Sequence, residues 1–150
     1  MQNKPTISEI IILASGAVAV LFSFFPWIDL GSDQTKNAWS TDLGLLPLAL
    51  YVALIGLAMA GQIALTKFAN VNLPENVVGF TWKQIHLALS AFAVLLMLGW
   101  LMADFFGADK GIGLWLSLLA AIGLLVGAIL MQREPEVAGP RPGSAPPTPF

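Results

Sequence analysis

Four apolar runs, each close to the length of a bilayer crossing, leave this chain few folds to choose from. A helix needs about 20 mostly apolar residues to cross the roughly 30 Å of hydrocarbon in a bilayer. The runs cover about residues 7–26, 45–66, 82–104 and 112–131, with short polar stretches between them. Only 11% of the residues are charged and 57% are hydrophobic, whereas a soluble domain carries about 25% charged residues. A soluble protein of this size buries only about 70% of the surface its unfolded chain exposes, so lipid has to solvate the rest. In lipid the backbone must satisfy its own hydrogen bonds, which leaves helices or closed barrels. The alternation that marks a membrane barrel is missing. The fold expected is therefore all-α and integral to the membrane: a four-transmembrane-helix bundle over residues 1–132, followed by a disordered, Pro-rich tail over 133–150.

Punctuation at the ends of the runs supports this division. Thr6-Ile7-Ser8-Glu9 and Thr81-Trp82-Lys83-Gln84 both fit the capping box, in which a Thr hydroxyl and an acid or amide three residues on satisfy each other's backbone amides. Pro26 and Trp27 mark the exit of the first run. Pro47 suits a first helical turn, with Asp42 a cap upstream. Gly111 opens the fourth run and Gln132-Arg133-Glu134-Pro135 closes it. A cleaved signal peptide is the rival reading of the first run, with Ala17-Val18-Ala19 as the cleavage site. The run continues past it to Phe25, and a single Lys precedes it, which favours an uncleaved helix. In the tail, six Pro residues favour an extended segment.

Lys and Arg near helix ends set orientation, favouring the cytoplasmic side. Lys4, Lys67, Lys83, Arg133 and Arg141 fall on the side of the termini, and Lys36 and Lys110 on the other. Both termini are therefore expected in the cytoplasm. The outer side carries Asp29, Asp33, Asp42, Asp104 and Asp109, with Phe24, Phe25, Trp27, Trp39, Trp100, Phe105, Phe106 and Trp115. Aromatic rings favour the headgroup layer, so Phe24 to Trp27 read as an interfacial anchor. The other reading is an outer docking interface built on Trp27, Trp39, Asp29 and Asp104. Trp39, in a polar stretch, either folds back to close the loop or anchors a partner.

Helices in lipid associate through small residues that let backbones approach. Gly123-Leu-Leu-Val-Gly127 is a GxxxG. Gly56 lies in a row with Ala49, Ala53, Ala60 and Ala64, and Gly16 sits between Ser15 and Ala19. Gly16, Gly56, Gly123 and Gly127 are the expected packing positions, within one bundle or between two copies.

Residues that carry chemistry are scarce. Cysteine is absent, which removes disulfides, thiolate nucleophiles and Cys-ligated metals. No ionisable residue falls at mid-depth, where pumps and proton-coupled transporters place their relays. The small multidrug transporters share the four-helix plan, but carry a Glu where this chain reads Ala14-Ser-Gly-Ala-Val-Ala-Val20. Glu9, Gln62 and His86 should lie at similar depth near the cytoplasmic end, as a polar cluster. It is either a packing clasp or a proton or ligand site. One His with one distant Glu is a poor metal set, and the outer Asp spacing fits no calcium loop. P-loop, dinucleotide and zinc-protease patterns are missing, and Gly111-Ile-Gly113 reads as a loop hinge. The net charge of -2 gives no reason to expect nucleic acid.

Pro26, Trp27 and Trp39 carry a resemblance. The arrangement is similar to a broad group of small, uncharacterised four-helix bacterial membrane proteins, in which the first helix ends in Pro-Trp and the first outer loop holds a second Trp. The resemblance implies a multi-pass protein of the bacterial inner membrane. Claudin-like proteins also place a Trp there, but their paired Cys are missing. The expectation is a non-enzymatic accessory, scaffold or assembly subunit without a cofactor. It would lie in the bilayer and pack against itself or a larger membrane complex. The alternative is a small oligomeric transporter or channel with the polar cluster on its path.

Overall fold

The computed structural model describes residues 4–31, 34–40, 48–104 and 107–134. Its frame is four helices: α1 (Ile7–Phe22), α2 (Leu48–Lys67), α3 (Trp82–Met102) and α4 (Ile112–Arg133). Of these, α2, α3 and α4 are long and apolar enough to cross a membrane, while α1 is a shorter apolar helix. Both expected capping boxes form. Thr6 Oγ1 accepts from the Glu9 amide while Glu9 Oε2 accepts from the Thr6 amide at 2.8 Å, and Thr81 and Gln84 do the same for α3. Each such cap contributes about 1 kcal/mol.

Helix boundaries differ from expectation for local reasons. The first helix ends at Phe22, not at residue 26. The Ser23 hydroxyl bonds back to Val20 O at 2.6 Å. The amides of Phe24 and Phe25 turn back onto Leu21 O and Phe22 O, tightening the last turn. Pro26 then has no amide to offer and disfavours a helical Phe25. α3 stops at Met102, short of residue 104, whereas α4 runs on to Arg133. The expected start of the second helix, with Asp42 and Pro47, lies outside the described residues, as does the tail from Pro135 onward.

The loops contain strands that an all-helical reading did not anticipate. β1 (Ile28–Asp29), β2 (Thr35–Lys36) and β5 (Asp109–Lys110) form an antiparallel sheet in the order β2-β1-β5. Ile28 pairs with both Lys36 and Lys110. β3 (Asn76–Val77) and β4 (Phe80–Thr81) form a hairpin at the opposite end of the bundle. Strands two residues long leave no alternating pattern to detect.

Helix α1 is the wedge of the bundle, packed along both α2 and α4. A Cβ on Gly16 would stand 2.5 Å from Gly56 O and 2.7 Å from the Ala60 Cβ, and one on Gly56 would meet the Ala19 Cβ at 3.0 Å. On the other flank, a Cβ on Gly123 would overlap Ser15 Oγ, and one on Gly127 would lie 2.6 Å from Ile12 Cγ1. All four glycines thus sit where a neighbouring helix leaves no room for a Cβ, and the GxxxG face of α4 is occupied by α1. Ile12, Val52, Met59, Ala93, Met97, Ala121, Leu124 and Ala128 fill the interior. Leu54, Leu57, Leu95, Leu119, Ile122 and Val126 face outward.

Candidate functional site

The ends of the bundle carry its polar chemistry. At one end, the start of α1 meets the end of α2, and the start of α3 meets the end of α4. Glu9 Oε1 forms an ion pair with Lys67 Nζ at 3.1 Å, both side chains mostly buried. Lys83 Nζ donates to Glu134 O, and Gln132 Nε2 donates to Lys83 O, each at 2.8 Å. Buried Ser8 shares a hydrogen bond with Thr6 Oγ1.

His86, one turn into α3, is 1% exposed, and neither ring nitrogen has a hydrogen-bond partner within the protein. Glu9 is near enough to act on it electrostatically. The carboxylate itself is committed to Lys67 and to the Thr6 amide. Gln62 is half-buried on α2 and makes no hydrogen bond to the imidazole. Of the three expected cluster members, Glu9 and His86 are thus in electrostatic reach, and no hydrogen bond joins Gln62 to the imidazole. Lys67 is the partner that sequence reasoning missed. Its place in the last turn of an antiparallel neighbour was the available signal, since the two helices bring residues 9 and 67 to one level.

A buried imidazole with two unmet nitrogens is costly, because each loses hydration without replacement. Ser117 Oγ, one turn into α4, is the other buried side-chain atom in this state among the described residues. No group of three or more metal-ligating side chains occurs among the described residues.

At the other end, Trp27 corrects an expectation. Sequence placed it on an outer interface, as an anchor or a docking residue, but it is 1% exposed. Its Nε1 donates to Phe22 O at 3.1 Å, and its ring stands at 90° to Trp100 with centroids 5.9 Å apart. The backbone around it gathers three segments. Trp27 N donates to Lys36 O, Gly111 N to Trp27 O and Gly113 N to Pro26 O, all at 2.8 Å. A Cβ on Gly113 would come within 2.8 Å of Phe25 O and Pro26 O, and one on Gly111 would overlap Pro26 O. Gly111 and Gly113 are therefore a tight docking point for the start of α4, not a loop hinge.

Trp39 folds back over the end of α1. Its ring stacks on Phe24 at 5.2 Å, and its Nε1 donates to Ser23 Oγ at 2.9 Å. Trp39 and Phe24 remain about half exposed. Asp29 accepts from the Gly31 amide and Asp104 from the Gly107 amide, so each carboxylate closes its own turn. Of the four expected interface residues, Trp39, Asp29 and Asp104 reach the surface and Trp27 does not. Asp33, Asp42, Phe105 and Phe106 lie outside the described residues.

Beside this cap, an apolar cleft of about 350 Å³ opens between α2 and α3. It is lined by Leu48, Phe92, Leu95, Leu96, Gly99 and Trp100. A Cβ added at Gly99 would meet nothing within 4 Å. Among the described residues, packing is thus close along α1, and the cleft follows the outer half of α3 with Leu48 of α2 at its edge.

No known family model matches the chain, and no curated protein or solved structure matches it.

Proposed function

We propose that this protein is a non-enzymatic, multi-pass protein of the bacterial inner membrane with four crossings and both termini in the cytoplasm. It acts as an accessory, scaffold or assembly subunit that seats a transmembrane helix of a larger complex, or of a second copy. The observation that carries the reading is the apolar cleft between α2 and α3. It lies in a bundle whose two α1 seams are closely packed at Gly16, Gly56, Gly123 and Gly127. A cleft lined by Leu, Phe and an accessible Gly suits the close approach of another apolar helix. Among the described residues, the middle of the bundle buries no ionisable side chain, which supports a packing role over a conducting one.

The test is co-purification of the tagged protein in mild detergent at native expression, beside Gly99→Trp. A Cβ at this position meets nothing within 4 Å, and the ring it carries occupies the cleft. A membrane partner, or a second copy, at fixed stoichiometry in the wild type and lost in G99W with thermal stability unchanged supports the reading. A protein that emerges alone and monomeric overturns it.

His86 favours a second reading, a small oligomeric transporter or channel with Glu9, Gln62 and His86 on its path. An imidazole with both nitrogens unpartnered near a buried ion pair is an expensive feature for a bundle that only packs. Proton-driven flux in proteoliposomes, lost in His86→Leu, supports that reading. The same basal leak in both counts against it.

A further inference from the structure

We propose that the β3–β4 hairpin is a lipid anchor: Val78 at its tip inserts among phospholipid headgroups, with Phe80 of β4 and Phe68 just beyond α2 at the same end of the bundle. The inference rests on the membrane reading above and extends it to a loop.

Val77 pairs with Phe80 and Asn76 with Thr81, so Val78-Gly79 is a two-residue hairpin loop. Both loop residues have positive φ, 53° and 84°. That geometry matches the twist of the flanking strands, and Asn-Gly or Gly-Gly ordinarily supplies it. A β-branched residue in the left-handed region is an outlier, because its Cβ crowds the backbone. Packing within the chain gives no compensation, since Val78 is 92% exposed. In water, then, the position combines a strained backbone with a bare apolar side chain. In the boundary between headgroups and acyl chains the same side chain is favourably solvated.

The surroundings fit that boundary. Phe68 and Phe80 are mostly exposed, and aromatic rings favour this layer. The hairpin is anchored on α3. Thr81 both ends β4 and caps α3, and Trp82 Nε1 donates to Pro74 O at 2.8 Å. The hairpin is therefore tied to the first turn of α3.

The chain has no cysteine, so a single introduced thiol can be labelled specifically. Val78→Cys carrying an environment-sensitive fluorophore is reconstituted into phosphatidylcholine–phosphatidylglycerol vesicles, beside Leu119→Cys on the outward face of α4. Phe80→Cys gives an independent reading should a label at 78 unsettle the turn. The proposal expects blue-shifted emission at residues 78 and 80, protection from aqueous iodide, and stronger quenching by nitroxide near the headgroup than deep in the acyl chain. Leu119→Cys is expected to be quenched most by the deep nitroxide. Deep quenching at 119 with water-like emission and full iodide quenching at 78 and 80 overturns the anchor alone. Water-like emission at all three sites overturns the membrane reading beneath it.

Discussion

Trp27 stands edge-on against Trp100 at 5.9 Å while its indole N–H holds Phe22 O, so one buried side chain ties the end of α1 to the end of α3. Edge-to-face pairs of this kind add about 0.5–1.5 kcal/mol to the burial of the rings.

Trp27→Ala is expected to destabilise the fold by about 3–5 kcal/mol, as large-to-small core changes do. Trp27→Phe keeps most of the apolar volume and loses the indole hydrogen bond, while Phe22 O keeps its bond from the Phe25 amide, for a loss of about 0.5–1.5 kcal/mol. Chemical denaturation in detergent micelles reads both. Equal, negligible losses would show that the cap does not depend on this residue.

Two glycine substitutions separate contact from helix propensity. Gly16→Ala forces α1 from α2, because its Cβ meets backbone at Gly56; overpacking of this kind costs about 1–3 kcal/mol. Gly61→Ala, in α2 with open space around it, is expected to gain about 0.5–1 kcal/mol from the better helix former. Melting temperatures should move in opposite directions.

The helical frame was legible because each of its signals is local. Thr6 with Glu9 and Thr81 with Gln84 fixed two helix starts, and apolar length placed all four runs. Gly16, Gly56, Gly123 and Gly127 were legible as packing residues because close backbone approach demands small side chains. The outer cap was not legible. Its strands are two residues long, and the burial of Trp27 depends on Lys36, Trp100, Gly111 and Gly113, all distant in sequence. An aromatic beside Pro at the end of an apolar run reads as an interfacial ring until the segments that cover it are known. The pairing of Lys67 with Glu9 was not legible because only the packing of α1 on α2 brings the two together. Val78 was overlooked because nothing in the stretch Asn76-Val-Val-Gly-Phe80 announces that its second Val adopts a left-handed backbone.

Val78→Asn should raise stability in detergent by about 1 kcal/mol, since Asn tolerates the left-handed region that strains a β-branched residue. Thermal unfolding checks this. An unchanged or lower midpoint would show that the turn carries no strain for Asn to relieve.

His86→Leu should also stabilise the isolated protein. It exchanges a buried ring with two unpartnered nitrogens for an apolar side chain of similar size, a gain of about 1–3 kcal/mol. A loss of stability would mean that the imidazole is satisfied in the folded protein. A gain in stability accompanied by lost activity in cells would identify His86 as retained for function.

The central claim is that all four helices cross the bilayer, and α1 is its most exacting case. Its 16 residues span about 24 Å at roughly 1.5 Å per residue, less than the hydrocarbon core, so the crossing relies on local thinning or on the turn that follows Phe22. The most direct measurement is labelling of single cysteines at Lys4, Gly31, Asn72 and Lys110 by a membrane-impermeant reagent, in intact cells and in inverted vesicles. The account predicts that positions 31 and 110 react from outside the cell, and that positions 4 and 72 react only in inverted vesicles. Labelling of positions 4 and 31 from the same side would contradict it, because α1 would then lie on the membrane instead of crossing it.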